Sequence, residues 1–214
     1  QKAEALKKAI NDNFWVEEDG YYASYLYGRQ NLTRTQQSET LGESFCVLFG
    51  IADEERAAKV ISSMPVGEFG PPIFSPQIVS QPDYHNNGVW PYVTSFWGKA
   101  AAKVGNETAL MHALACNVRT ASIYATNYEN YSFNTGNPYT TQINSPNMLW
   151  GLSGFMGLFH RTFFGLEFTK EGLALKPFVP TVLAGTRKLE AFPYRGMKLD
   201  ITVSGRGDEI ESCW

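Results

Sequence analysis

A run of chain from Tyr128 to Pro138 sets a single carboxylate, Glu129, among Tyr128, Asn130, Tyr131, Phe133 and Asn134, and continues through polar residues to Ser145-Pro146-Asn147-Met148-Leu149-Trp150. Aromatic faces stack on the C–H faces of pyranose rings, amides bond hydroxyls, and a carboxylate takes a proton from an attacking water. The pattern suits a sugar; it equally describes a glutamate solvated among turn residues. A second stretch, from Pro82 to Tyr92, repeats the mixture with Tyr84, His85, Asn87, Trp90 and Tyr92 around Asp83. These residues read either as a site or as a packed surface cluster. Hydrolysis of a glycosidic bond works with two carboxyl groups, and one short motif does not supply both. Asp83 is the candidate second acid, although Pro82-Asp83 also reads as the opening of a turn. Trp90 and Trp150 are candidate stacking faces, with burial in the core as the competing role.

The elements that position these loops follow from the spacing of apolar residues. Residues 2–12 read as a helix, and Asp19-Gly20 between Phe14-Trp15-Val16 and Tyr21-Tyr22 as a tight hairpin. A helix over Ser38–Phe49 would bury Leu41, Phe45, Leu48 and Phe49 and stop at Gly50. Asp53 caps a second, with Ala57, Val60, Ile61 and Met64 on one face. Thr94 to Val104 is apolar and ends at Gly105, after which Asn106 caps a longer helix carrying Leu110, Ala113, Leu114, Val118 and Ala121. Ser145 and Pro146 start the last helix, apolar nearly all round through Leu149, Leu152, Phe155, Met156, Phe159 and Phe163, which predicts burial before Gly165 closes it. Helices in pairs with long connections on one side point to a helical hairpin toroid. Beyond Gly165 the period shortens to two: Leu173-Ala174-Leu175 reads as a short strand and Met197 to Val203 as a half-buried one. The predicted fold class is mainly α, the C-terminal hairpins of an (α/α)6 toroid over 1–165 followed by a β appendage over 166–214.

Composition limits the alternatives. With 43% hydrophobic residues the chain can bury a core, and a net charge of −3 with mixed signs offers no basic stripe for nucleic acid or an anionic membrane. No apolar run approaches the roughly 20 residues that cross a bilayer. Gln1-Lys2-Ala3-Glu4-Ala5 has neither Met nor a signal-peptide pattern, so the chain is expected to begin in mid-protein or after processing. Cys46, Cys116 and Cys213 lack metal or disulfide spacing and read as small core residues, and His85, His112 and His160 share no ligand spacing. No P-loop, dinucleotide fingerprint or nucleophile elbow occurs, and no cofactor or metal is implied.

Two motifs carry a resemblance. Tyr84-His85-Asn86-Asn87-Gly88-Val89-Trp90-Pro91 resembles the Tyr-His-Asn-Gly-x-Val-Trp-Pro loop of six-hairpin (α/α)6-barrel glycosidases, and Glu129-Asn130-Tyr131-Ser132-Phe133-Asn134-Thr135-Gly136 is similar to the Glu-x-Tyr-Asp-x-x-Thr-Gly loop of their processing α-glucosidase and mannosylglycerate hydrolase-like branch. Phe14-Trp15 with Asp19-Gly20-Tyr21-Tyr22 is also similar to debranching-type enzymes of that group. The resemblance covers about residues 1–165 and implies inverting hydrolysis of an α-linked glucoside or mannoside, with Glu129 as general base. Tyr84, His85, Asn87, Trp90, Tyr131 and Trp150 would then bind an oligosaccharide or glycoside. The family's general acid is an aspartate on an earlier loop, which is expected to precede Gln1 and to leave this piece inactive by itself, its bare helix faces inviting self-association. Ser132 stands where the family has Asp, and Ser145-Pro146-Asn147 replaces the aromatic-glycine lead into the helix. A non-catalytic carbohydrate-binding or interaction module is the alternative on the same loops. A polysaccharide lyase would want a positive groove, and neither loop holds Arg or Lys.

Overall fold

The computed structural model describes residues 1–213, in two compact units that divide between Phe155 and Met156. The chain is helix-rich with small antiparallel sheets. In the first unit, α1 (Lys2–Asn13) buries none of its residues and leads into a hairpin of β1 (Trp15–Val16) and β2 (Tyr21–Tyr22). A second short pair, β3 (Leu26–Tyr27) with β4 (Thr33–Arg34), precedes β5 (Ser38–Glu39) and α2 (Thr40–Leu48). Asp53 caps α3 (Glu54–Ser63) by accepting from the Arg56 amide at 2.9 Å, and Ala57, Val60 and Ile61 are buried along it as their spacing predicts.

The buried face of α2 differs from the expected one. Thr40, Glu43, Ser44, Cys46 and Val47 point inward, whereas Phe49 is 73% exposed. Polar residues occupy this face because backbone groups meet them: the Thr40 hydroxyl donates to the Pro72 carbonyl at 2.5 Å, and Glu43 Oε1 accepts from the Tyr22 amide at 2.7 Å. An apolar-stripe count cannot see such partners.

β6 (Phe74–Ser75) and β7 (Gly88–Val89) flank the aromatic loop, and α4 (Pro91–Lys103) starts three residues earlier than predicted, with Pro91 at its first position and Trp90 as its cap. Only Val104 to Asn106 separate α4 from α5 (Glu107–Tyr124), so the two lie antiparallel. Asn106 accepts from the Ala109 amide at 2.9 Å as the cap of α5, and the buried Asn117 donates to Ser95 Oγ at 3.0 Å between the two helices. Val118, placed by spacing on the core face, is 44% exposed. β8 (Tyr131–Ser132) lies in the loop that follows.

The last helix, α6 (Leu149–Leu158), begins three residues later than the predicted first helical position, Pro146, and continues as a π-helical turn over Phe159–Phe163. The backbone of residues 145–148 is engaged elsewhere: Ser145 O accepts from the Glu129 amide at 3.0 Å, and the Met148 amide donates to Asn127 O at 2.9 Å. Nor is the helix buried all round. Leu149 is 77% exposed, with Leu152 and Met156 also exposed, while Gly151, Gly154 and Leu158 are buried. A Cβ at Gly154 would stand 3.1 Å from Tyr92 Cα, so the inward face is set by small residues that admit α4.

In the second unit β9 (Leu166–Phe168) pairs with β10 (Leu173–Leu175), and β11 (Gly185–Tyr194) with β12 (Met197–Gly205). β12 is the predicted strand, half-buried at Leu199, Ile201 and Val203. Its partner β11 escapes period-two counting because the register shifts between Leu189 and Phe192, where Ala191 takes a φ of 53° and its amide donates to Asp200 Oδ1 at 2.7 Å. Cys46 and Cys116 are buried, but Cys213 is exposed, contrary to the expectation that all three pack. No helix among the described residues is long and apolar enough to cross a membrane.

Candidate functional site

Short backbone segments, scattered in sequence, lie side by side and bring the loops together. The Thr40 amide donates to Ile73 O at 2.8 Å, and the Ile73 amide donates to Gly88 O at 2.8 Å. Ser38 and Glu39 pair with Ser75 and Phe74, and Gly88 and Val89 pair with Ser132 and Tyr131. The Phe133 amide extends the last pairing by donating to Asn87 O at 2.7 Å, and the Gln142 amide donates to Asp83 O at 2.7 Å. The two loops singled out in the sequence are therefore joined through main-chain groups.

The first loop folds on itself around Trp90. The indole Nε1 donates to Tyr84 O at 3.0 Å, and Tyr84, His85 and Trp90 form a ring cluster, with His85 stacked on Trp90 at 5.0 Å between centroids. Gly88 permits the turn, since a Cβ there would lie 1.7 Å from Tyr84 O. Asn86, buried, accepts from the Ile78 amide at 2.7 Å and donates to Gln81 O at 3.0 Å. Asn87, with φ 48°, receives its place from Gln77, whose Oε1 accepts the Asn87 amide, and from Asp83, whose Oδ1 accepts its side-chain N–H at 2.9 Å. Asn87 Oδ1 has no partner although it is buried.

The second loop rests on buried residues. Tyr131 is fully buried, its hydroxyl accepting from the Tyr128 amide at 3.3 Å and its ring stacked on Tyr124 at 5.7 Å. Burial raises the Tyr131 hydroxyl above its ordinary pKa. Asn144 knits the loop: its amide N–H donates to Asn130 O and Pro138 O at 2.8 Å each, and its carbonyl accepts from the Ser145 amide at 2.9 Å.

Between the loops, the Tyr84 hydroxyl makes a long hydrogen bond of 3.5 Å to Glu129 Oε1. Burial first, then the charge of Glu129 and this bond, raise the Tyr84 pKa. Trp150 meets Trp90 edge-on at 5.3 Å and stacks on Tyr92 at 4.3 Å. Glu129, Tyr84, His85, Trp90 and Trp150 thus form one chain of contacts.

Not every candidate faces outward. Tyr131 is fully buried, and Trp90 is only 5% exposed. His85 and Trp150 are the exposed rings, and Tyr84 is half-buried. Cavities of about 320 and 460 Å³ lie elsewhere, the first beside Tyr21, Gln36 and Ser38 and the second beside Leu26 and Arg34; neither is lined by Glu129, Trp90 or Trp150. Among the described residues no three His, Cys, Asp or Glu side chains gather as metal ligands would. Sequence reasoning passed over Asn144 as a site component and named Tyr92 only as one ring of the aromatic loop. Asn144 carries no signal beyond its polarity in a loop, whereas Tyr92 sits two residues from Trp90.

No family model matches the chain, and no curated protein matches it. Among solved structures it is similar to neutral trehalase from Saccharomyces cerevisiae, with a TM-score of 0.55 and 14% identity over 74% of this chain and 29% of that one. The chain therefore spans about 29% of the length of that protein, and at this identity the likeness is one of fold.

Proposed function

We propose that the protein of which these residues form part is a glycosidase that cleaves an α-linked glucoside or mannoside with inversion, using Glu129 as general base. The observation that carries this reading is the Glu129 carboxylate at the rim of the Tyr84–His85–Trp90–Trp150 cluster, tied to the Tyr84 hydroxyl at 3.5 Å. A fold likeness to a protein named as a trehalase is in keeping with a sugar substrate. In this mechanism Glu129 takes a proton from a water as the water attacks the anomeric carbon, and the exposed faces of His85 and Trp150 hold the sugar ring. Tyr84 orients the base through its hydroxyl. Asp83 is the less suitable second acid, since its Oδ1 already accepts from Asn87 at 2.9 Å.

In the complete protein Glu129→Gln should keep the fold and KM while turnover falls by roughly 10²–10⁴-fold, the usual size of a general-base contribution. Proton NMR of early hydrolysate should show the β anomer first. Release of the α anomer would exclude the base role, because a retaining enzyme uses its second carboxylate as nucleophile. Unchanged turnover in the Gln variant would leave the aromatic loops to the alternative role, carbohydrate binding without hydrolysis.

A further inference from the structure

A second group of rings stands outside the contacts of Glu129. Tyr124, Tyr128 and Tyr139 meet edge-on in all three pairings, with centroids 5.8 Å apart for Tyr124 and Tyr128, 6.1 Å for Tyr124 and Tyr139, and 5.7 Å for Tyr128 and Tyr139. The Tyr128 hydroxyl donates to that of Tyr139 at 3.2 Å, and the Tyr124 hydroxyl donates to Gly136 O at 2.9 Å. Tyr139 is nonetheless 73% exposed. Its amide donates to Asn137 Oδ1 at 2.8 Å, and Asn137 O accepts from the Ser132 amide in β8 at 3.2 Å. An exposed ring held from several directions fills no core, and its ordering is met before any ligand arrives, which is what a stacking face needs. The group is also close to Glu129. Asn144 Nδ2 donates at 2.8 Å both to Asn130 O and to Pro138 O, so those two oxygens stand at most twice that distance apart. Glu129 adjoins the first of these residues and Tyr139 the second. Tyr124 closes α5 and Trp90 precedes α4, so in this antiparallel pair the tyrosines and the aromatic loop share one end of the helices. Between Asn127 and Trp150 the only charged side chain is that of Glu129, which leaves no cation for a phosphate or carboxylate ligand. A tyrosine offers an apolar face with a hydroxyl at its edge, and the matching ligand is a neutral ring with C–H faces and hydroxyls.

We infer that Tyr139, held by Tyr128 and Tyr124, is a second stacking platform that takes the next ring of an α-linked oligosaccharide whose first ring lies at Glu129. This rests on the reading of the loops as a sugar site. Tyr139 binds the sugar directly through its ring, and Tyr128 acts through Tyr139 as a positioning residue. Because the Tyr128 hydroxyl donates to that of Tyr139, the Tyr139 hydroxyl keeps its own proton to offer to a sugar oxygen. The ligand favoured by this arrangement is a chain of at least two rings.

The test compares the affinity of the full chain for single rings, methyl α-glucoside and methyl α-mannoside, with that for maltose and α-1,2-mannobiose, read by ligand-observed NMR. Wild type should bind a disaccharide about tenfold more tightly than the corresponding methyl glycoside, the scale of one added aromatic contact. Tyr139→Ala should erase that gain and leave the methyl glycosides as they were. Tyr139→Phe keeps the ring and should retain most of the gain, and Tyr128→Phe, which removes the bond that steadies Tyr139, should weaken the disaccharide alone by about threefold. A wild-type chain that binds both ligand sizes equally, a disaccharide gain that survives Tyr139→Ala, or an equal loss on both sizes overturns the platform and leaves the Glu129 site standing. A wild-type chain that binds none of the four sugars overturns both.

Discussion

Gly88 offers a direct test of how tightly the aromatic loop is wound. An alanine Cβ would stand 1.7 Å from Tyr84 O, 2.9 Å from Tyr84 C and 3.3 Å from Trp90 Nε1. Two of these neighbours are backbone atoms, which no rotamer change can clear. The turn must open by more than about 1 Å to restore ordinary contact, and overpacking on that scale costs about 1–3 kcal/mol. Opening also pulls Tyr84 O from the indole N–H now 3.0 Å away, which adds about 1 kcal/mol. The total is about 2–4 kcal/mol, and at roughly 2–4 °C per kcal/mol for a unit of this size the midpoint should fall by about 5–15 °C. Thermal melting followed by circular dichroism measures this, and tryptophan fluorescence reports the changed surroundings of Trp90. Gly151→Ala is the control, since its Cβ would meet only ordinary contacts at 3.7 and 3.8 Å. If Gly88→Ala melts within about 2 °C of wild type, less than the smallest fall that this size scaling allows, with unchanged fluorescence, the loop is not wound as described.

Two further outcomes follow from buried groups. Glu43 is 1% exposed, Oε2 lacks a partner, and burial raises its pKa well above the ordinary carboxylate range; the folded state thus holds a proton that the unfolded chain releases, and stability drains away as pH rises from about 4.3 through the raised value. Glu43→Gln does not titrate, so its melting temperature relative to wild type should climb with pH across that window, and a constant difference would refute the reasoning. Asn144→Ala removes the amide that binds Asn130 O and Pro138 O and accepts from the Ser145 amide; hydrogen exchange should quicken at Asn130 and Ser145 while amides at the α4–α5 contact keep their rates, and uniform acceleration would mean that the hub is not local.

Helices with strong caps were legible in the sequence. Asp53 before α3 and Asn106 before α5 place two starts correctly, because a side-chain oxygen on the first-turn amides is a local interaction. What failed was long-range. The inward face of α2 is polar because Tyr22 and Pro72, distant in sequence, supply its partners. The start of α6 moved because Asn127 and Glu129 claim the backbone of residues 145–148. The candidate site was legible as two aromatic loops, since ring-rich loops without a core to fill stand out by composition. Its joinery was not: pairings of two residues, such as Val89 with Tyr131, leave no period to count.

The joining of the loops through amides and carbonyls leaves their exposed side chains free of the task of alignment. Side chains at 85, 129 and 150 can be exchanged without touching the bonds that align the loops, whereas proline at 73 or 133 would remove a donor on which the alignment depends. Randomised libraries over the first set should therefore return many folded proteins. Such a division lets selection explore chemistry on a frame whose geometry most substitutions leave intact.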